Sequence, residues 1–424
     1  MKLRILAAWF ALVSLPVAAA ENLRDYPDLP PLTAVEKALE NTAMTRAARA
    51  GMGVATASRD HLRAGSYEIG VRAGTQQRRV KVPSEQYTEW DVGLERALRL
   101  PGKARIDRQL GEQGVVQAGF AYGDALHESG RMLLKAWFTW LREYNQQQQW
   151  LTQVGLLREQ LGIVDKRIKA GDAARLEQLQ VQAALSQAEA QLAQAQLRVA
   201  TAANELNLRY PAITLPATPV LPQPEPVTEG LDYWLDRALE HNHELALARG
   251  DTERSRLQLS RTEADRVPDP TVGVRFASER GGEDHIIGVN LIIPLPGAAR
   301  KANQASALAS SAVASEREAG VLTKIKTETT SSWLTTQSAY SAWQAAEQAA
   351  AAMRNSADLM ARAYQLGESG LSDLLTARRQ MQDAQLGAIN ARLDVAEARY
   401  RLLLDTHQLW PIDADEAGHE PVVH

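Results

Sequence analysis

Two stretches of this chain, Lys103–Lys169 and Ala298–Leu366, read as helix from end to end and contain no proline. A helix rises 1.5 Å per residue, so each would run roughly 100 Å. A globular domain has no use for so long an element, whereas a coiled coil or a tunnel wall does. Each run opens on the same tripeptide, Leu100-Pro101-Gly102 or Leu295-Pro296-Gly297. Each closes at a glycine, Gly171 or Gly367, a residue that can take the left-handed conformation that stops a helix. More helical sequence follows at once, so each long helix is predicted to fold back as a hairpin.

The same order of landmarks occurs twice. Ala38-Leu39-Glu40-Asn41 is echoed by Ala238-Leu239-Glu240-His241, 200 residues later. Leu100-Pro101-Gly102-Lys103-Ala104-Arg105 is echoed 195 residues later by Leu295-Pro296-Gly297-Ala298-Ala299-Arg300. Gly171-Asp172, with Glu177 and Leu179 after it, is echoed 196 residues later by Gly367-Glu368, with Asp373 and Leu375. Three echoes in the same order imply a duplication. Each half reads helix, strand, strand, long helix, turn, helix. The expected division is an export signal at 1–20, a first repeat at 21–210, a proline-rich connector at 211–228, a second repeat at 229–410 and a polar tail at 411–424. The connector holds Pro211, Pro216, Pro219, Pro222, Pro224 and Pro226, a density that forbids helix. The first helices are expected at about Thr33–Arg63 and Leu231–Arg266.

Between the first helix and the long one, the hydrophobic period changes to two. Trp90, Val92, Leu94 and Leu98 alternate with polar residues across Thr88–Leu98. Val272, Val274 and Phe276 do so across Thr271–Ala277, and Ile287, Val289, Leu291 and Ile293 across His285–Ile293. Tyr67–Thr75 is a weaker version. Pro83-Ser84 and Gly281-Gly282 supply the turns, so two hairpins are predicted, with strands inside about 67–100 and 271–294. The lengths suit strands that cross a bilayer. A soluble sheet with one wetted face is the alternative from these segments alone.

The returning helices carry a seven-residue seam. Leu185, Leu192, Val199 and Leu206 alternate with Ala188, Ala195 and Ala202 in the first. Leu374, Met381, Ala388, Val395 and Leu402 alternate with Ala377, Ala384, Ala391 and Ala398 in the second. Alternating large and small seam residues let helices approach closely. A free-standing coiled coil shares this feature.

Met1–Ala20 reads as a secretory signal, with Lys2 and Arg4 before an apolar stretch and Ala18-Ala19-Ala20 at the cleavage point. No later apolar run of about 20 residues marks a transmembrane helix. The net charge is −4, which gives no basic field for nucleic acid. The absence of cysteine excludes disulfides, thiolate metal sites and an acylated cysteine anchor. The sequence contains no H-E-x-x-H pair, phosphate-binding lysine loop or nucleophile elbow. The reading is therefore of a non-enzyme with no cofactor and no resident metal site. His241 and His243, two apart, would fall on different faces of a helix. Trp137, Trp140, Trp333 and Trp343 are expected to pack between helices, and Trp90 to sit at a membrane interface. Four strands cannot close a barrel alone, so the membrane reading demands an oligomer.

On its duplicated plan, its paired Leu-Pro-Gly openings and its two glycine turns, the chain resembles the TolC-like outer-membrane efflux proteins from about Leu32 to Leu409. The Gly102-Lys103-Ala104-Arg105 run is similar to that of the heavy-metal (CzcC-type) branch. The resemblance implies a mainly α fold with a β-barrel part. A homotrimer would form a 12-stranded barrel in the bacterial outer membrane, continued by a helical coiled-coil tunnel in the periplasm. It implies a passive duct docking on a periplasmic adaptor (membrane fusion) protein and an inner-membrane RND pump, exporting heavy-metal cations. Drug efflux or type I secretion is the alternative within transport, and a non-pore periplasmic scaffold or adaptor the alternative outside it. By resemblance, Asp373 lines a constriction at the periplasmic tip, with Glu177 as its first-half counterpart and Glu368 and Asp172 beside them. The same acids could instead cap the returning helices. Gly171, Ala173, Gly367, Ser369 and Gly370 form the turns where the adaptor would dock.

Overall fold

A computed structural model of the chain describes residues 26–65 and 67–410, so the export signal at 1–20 and the tail at 411–424 lie outside the described residues. The first half builds α1 (Leu32–Glu40), α2 (Ala43–Ala64), β1 (Gly70–Val80), β2 (Glu85–Ala97), α3 (Pro101–Lys169) and α4 (Arg175–Arg209). The second builds α5 (Leu231–Glu240), α6 (His243–Ala264), β3 (Thr271–Glu279), β4 (Asp284–Ile292), α7 (Ala298–Leu366) and α8 (Leu371–Asp405). Both α3 and α7 have 69 residues, both α4 and α8 have 35, and both α2 and α6 have 22.

The predicted single helices at 33–63 and 231–266 are each two. The break falls at Asn41-Thr42 in one half and His241-Asn242 in the other. The Thr42 hydroxyl accepts the Thr45 amide at 3.1 Å, and the Asn242 side-chain oxygen accepts the Leu245 amide at 2.8 Å. Such side chains satisfy the first orphan N–H groups of a new helix, so the chain restarts there. The first strand also runs further than its apolar alternation suggests, through Gln76, Gln77, Arg78 and Arg79. Its pairing with β2 continues to Val80 opposite Glu85, directly beside the turn, so backbone pairing carries it past the last apolar residue.

The four strands form one antiparallel sheet in the order β1-β2-β3-β4. The β2–β3 pairing, from Trp90 opposite Ser278 to Ala97 opposite Thr271, joins the two hairpins. A short 3₁₀ turn at Arg280–Gly282 links β3 to β4, with Gly281 and Gly282 at φ 67° and 105°, where a side chain would be strained.

The main apolar core is a belt about the middle of α3. Leu133, Leu134, Trp137, Phe138 and Leu141 meet Leu206 of α4, Leu393, Tyr400 and Leu404 of α8, and Val35 and Leu39 of α1. The Trp137 indole donates to the Asp28 carbonyl at 2.8 Å, fixing the segment before α1. Smaller clusters continue away from the sheet: Val154, Leu157, Leu185 and Ala188, then Val164, Val181, Tyr364, Leu371 and Leu374. Of the predicted seam, Leu185, Ala188, Ala195, Ala202, Leu206, Leu374, Ala377, Ala388, Val395 and Leu402 are buried. Leu192, Val199, Met381, Ala384, Ala391 and Ala398 are half-buried. Trp343 is also only half-buried, beside Tyr340.

An ionic junction joins sheet to helices. Lys103, in the first turn of α3, is 2% exposed and lies 3.0 Å from both Asp265 and Asp269. Asp107, one turn on, pairs with Arg99 at 3.0 Å and Arg261 at 2.5 Å. The Asp269 carboxylate also accepts the Leu100 amide and the Tyr67 hydroxyl. Burial acts to raise the Asp269 pKa, but the bonds from Tyr67, Leu100 and Lys103 outweigh it and hold the carboxyl below its ordinary range. The Leu-Pro-Gly opening of α3 is thereby tied to the segment between α6 and β3.

Candidate functional site

The pairing register assigns every strand residue to a face. On one face Val71, Leu94, Val274 and Val289 lie in one row, and Ala73, Val92, Phe276 and Ile287 in the next. Trp90 follows, its ring 5.6 Å from that of Phe276. Apart from Phe276, which is half-buried, these residues are exposed rather than covered, Ile287 by 84% and Val289 by 77%. Among the described residues no helix packs over them. The opposite face carries Arg72, Gly93, Arg275 and Gly288 in one row and Gly74, Asp91, Ala277 and Ile286 in the next. Arg275 approaches Asp91 at 3.5 Å, and Arg78 approaches Glu89 at 3.3 Å. A Cβ on Gly74 would stand 2.7 Å from the Asp91 carboxylate, and one on Gly273 2.5 Å from the Asn290 amide. Glycine at these positions leaves room for the polar side chains of the neighbouring strands. One edge of β1 and one of β4 have no strand partner within the described chain.

At the far ends of the long helices lie the two glycine turns. Gly171 and Gly367 both have φ 78°, with open space where a Cβ would stand. The Asp172 amide donates to the Arg167 carbonyl at 2.8 Å, and the Glu368 amide to that of Ala363 at 2.9 Å. Both are the long bonds of a Schellman stop, built on a left-handed residue.

The structure places the four predicted acids differently. Asp373 is exposed in the first turn of α8, and Glu368 is exposed beside Gly367. Asp172 and Glu177 are drawn into a network across the two hairpins. Arg167 Nε donates to Asp172 at 3.0 Å, and its Nη1 donates to the Tyr364 hydroxyl at 2.6 Å. That hydroxyl donates to Glu177 at 2.9 Å, and the guanidinium also lies 5.1 Å from the Tyr364 ring centroid. Burial, then the bond to Glu177, raises the Tyr364 pKa, so the phenol keeps its proton. Arg167 and Glu177 stand on the first hairpin and Tyr364 on the second, so the network clasps one to the other. Ala173 and Ser369 are half-buried in the turns, and Gly370 caps α8.

Sequence reasoning missed Arg167 and Tyr364. The available signal was positional: each lies within one turn of a stop glycine, and Arg167 shares its turn with Lys166 and Lys169. Among the described residues no group of three or more His, Asp or Glu side chains is placed to hold a metal ion, and no helix is long and apolar enough to cross a membrane.

Residues 234–404 match the family model described as outer membrane efflux protein. The fold is similar to that of solved outer-membrane channels. A membrane protein from Pseudomonas aeruginosa aligns at a TM-score of 0.77 with 17% identity, over 92% of each chain. The CmeC outer membrane channel of Campylobacter jejuni aligns at 0.73 with 14% identity, over 99% of this chain and 96% of that one. The outer membrane protein VceC of Vibrio cholerae aligns at 0.71 with 18% identity, over 89% of this chain and 95% of that one. No curated protein sequence matches the chain.

Proposed function

We propose that three copies of this chain close a 12-stranded barrel in the outer membrane and continue it as a helical tunnel, giving a passive exit duct for efflux. The observation that carries this is the sheet: apolar and uncovered outside, polar inside, with two free edges. An unpaired edge in lipid leaves backbone groups that each cost several kcal/mol, so the edges must meet those of other copies. Two copies would give eight strands, whose interior side chains fill. Three give twelve strands and leave an open bore. The exposed apolar residues of α7, Leu308, Val313, Leu334 and Leu359, would then face neighbouring copies.

The duct works with no chemistry of its own. The hairpin tips, far from the sheet, open and close it. Three copies of Asp373, with Glu368 nearby, would form an acidic ring that attracts cations and resists close approach of the tips. The Arg167–Tyr364–Glu177 clasp holds each second hairpin against the first in the closed form. The turns at Gly171, Ala173, Gly367, Ser369 and Gly370 receive a periplasmic adaptor, which couples the duct to an inner-membrane RND pump. Heavy-metal cations are the proposed cargo. That reading is supported by the Gly102-Lys103-Ala104-Arg105 resemblance and by a bore face on which Glu89, Asp91, Glu95 and Glu279 outnumber Arg72, Arg78 and Arg275.

The test is single-channel conductance of the purified protein in planar bilayers. Wild type should give small, cation-preferring currents blocked by multivalent cations, and Asp373→Ala should raise the leak and weaken that block. Absence of any conductance would overturn the duct, and an unchanged block would overturn the gate. Sensitivity of a deletion strain to zinc, cobalt, copper or silver, but not to organic drugs, tests the cargo.

A further inference from the structure

Four histidines far apart in sequence meet at one place. His127 comes from the middle of α3, His241 and His243 from the break between α5 and α6, and His407 from the end of α8. The His407 ring lies 5.2 Å from that of His243, 5.4 Å from that of His127, with which it is stacked, and 5.9 Å from that of His241. Two backbone features accommodate the arrangement. His407 occupies the left-handed region at φ 59°, where the stops after α3 and α7 use glycine. Non-glycine residues reach that region only at a cost of about 1 kcal/mol. Gly123 sits mid-helix in α3, where a Cβ would stand 2.5 Å from the His243 ring. Glycine there weakens a helix by roughly 1 kcal/mol, and here it makes room for an imidazole.

His127 is 6% exposed, and its Nε2 has no hydrogen-bond partner. The carboxylate near it, Asp405 at 3.6 Å, is already bound by Arg131 and Arg401, each at 2.8 Å. The surrounding charges come from every packed element. Asp124, Glu128 and Arg131 belong to α3, Glu240 to α5, and Arg401 and Asp405 to α8. Glu244 of α6 is held by Lys324 of α7 at 2.9 Å. A proton on His127 would therefore add a cation beside two guanidinium groups and the imidazoles of His407 and His243, with its nearest carboxylate already committed.

We propose that this four-histidine cluster is an acid-sensitive fastener, which holds the end of α8 and the α5–α6 corner against α3 at neutral pH and loosens them when protons enter. Burial, then Arg131 and His407, hold the His127 imidazole well below the ordinary histidine range. The neutral form is thus the folded form. Its contribution is complete above about pH 6.5 and is lost as pH falls from there toward the depressed folded value. Nothing in this inference depends on the duct reading, since all four rings belong to one chain.

The test is hydrogen–deuterium exchange on the full-length detergent-purified protein, with rates corrected for the intrinsic effect of pH. In the wild type, peptides covering residues 238–246 and 402–409 should open about fivefold more readily at pH 5.5 than at pH 6.5, since the opened histidine is already half-protonated at the higher pH. His127→Leu removes the buried base, and His407→Gly removes the central ring while keeping the left-handed backbone. His127→Leu should abolish the acid response and His407→Gly should weaken it, while His61→Gln, on α2 outside the cluster, should retain it. An undiminished response in His127→Leu and His407→Gly would overturn the proposal. So would protection of these peptides by added zinc at pH 7.5 that both variants lose, which would make the cluster a metal site instead.

Discussion

The tip clasp yields the sharpest consequence. Tyr364→Phe deletes one oxygen. That oxygen accepts from Arg167 at 2.6 Å and donates to Glu177 at 2.9 Å. The ring still fills its place among Val164, Val181, Leu371 and Leu374, so no cavity forms. A hydrogen bond to a charged group contributes about 1.5–3 kcal/mol when buried. Here water reaches the partners, with the Arg167 and Glu177 side chains 30% and 24% exposed, which moves both bonds below that range. A combined loss of about 2 kcal/mol follows, and in the proposed gating it falls on the closed form, because the donor Arg167 and the acceptor Glu177 are on the first hairpin and Tyr364 is on the second. At 1.36 kcal/mol per decade, the open population should rise roughly 30-fold. The assay is open probability in planar bilayers, with thermal unfolding measured alongside. Arg167→Ala should produce a similar rise, and the double variant little more than either alone, since both substitutions break one network. Unchanged open probability, or effects of the two substitutions that simply add, would refute the clasp.

Other consequences follow from the same structure. Lys103→Met leaves Asp269 buried without its cation and should destabilise the protein by about 3 kcal/mol in chemical denaturation. The depressed Asp269 carboxyl contributes stability that is full above its ordinary pKa near 4 and is lost as pH falls through its folded value. The wild-type melting temperature should therefore drop below pH 4, and less so in Asp269→Asn. Gly367→Val forces a branched side chain to φ 78° in open space. Its cost of about 1–2 kcal/mol is confined to the turn, so trimers should still form while efflux in cells falls; failure to assemble would show that the glycine serves the fold instead.

The larger elements were legible because they rest on local rules. Proline-free runs ending at Gly171 and Gly367 gave the long helices, and alternation around Val92, Val274 and Val289 gave three strands. The breaks at Thr42 and Asn242 were hidden, since the hydrophobic pattern passes straight through both and only the capping side chain decides. The extension of β1 through Arg78 and Arg79 was hidden for a different reason: there the pairing is made by the backbone, which leaves no mark in side-chain pattern. At the tip, the turns were legible from glycine, whereas the acids were named by resemblance alone. Their partners were not, because Arg167 and Tyr364 meet only when two hairpins almost 200 residues apart lie side by side. The histidine cluster shows the same limit, since spacing along the chain separates His241 from His243 while the fold gathers both around His407.

The central claim is that the free edges of β1 and β4 meet between copies to close a ring. The chain has no cysteine, so introduced cysteines report without interference. Ala73→Cys on β1 can be combined in turn with Ile287→Cys, Val289→Cys and Leu291→Cys on β4, all on the apolar face, to allow for stagger between copies. Oxidation in membranes should give, for one pairing, a covalent trimer on denaturing gels, with covalent dimer as its precursor. Covalent dimers with no trimer, or no cross-linking at any pairing, would contradict the account.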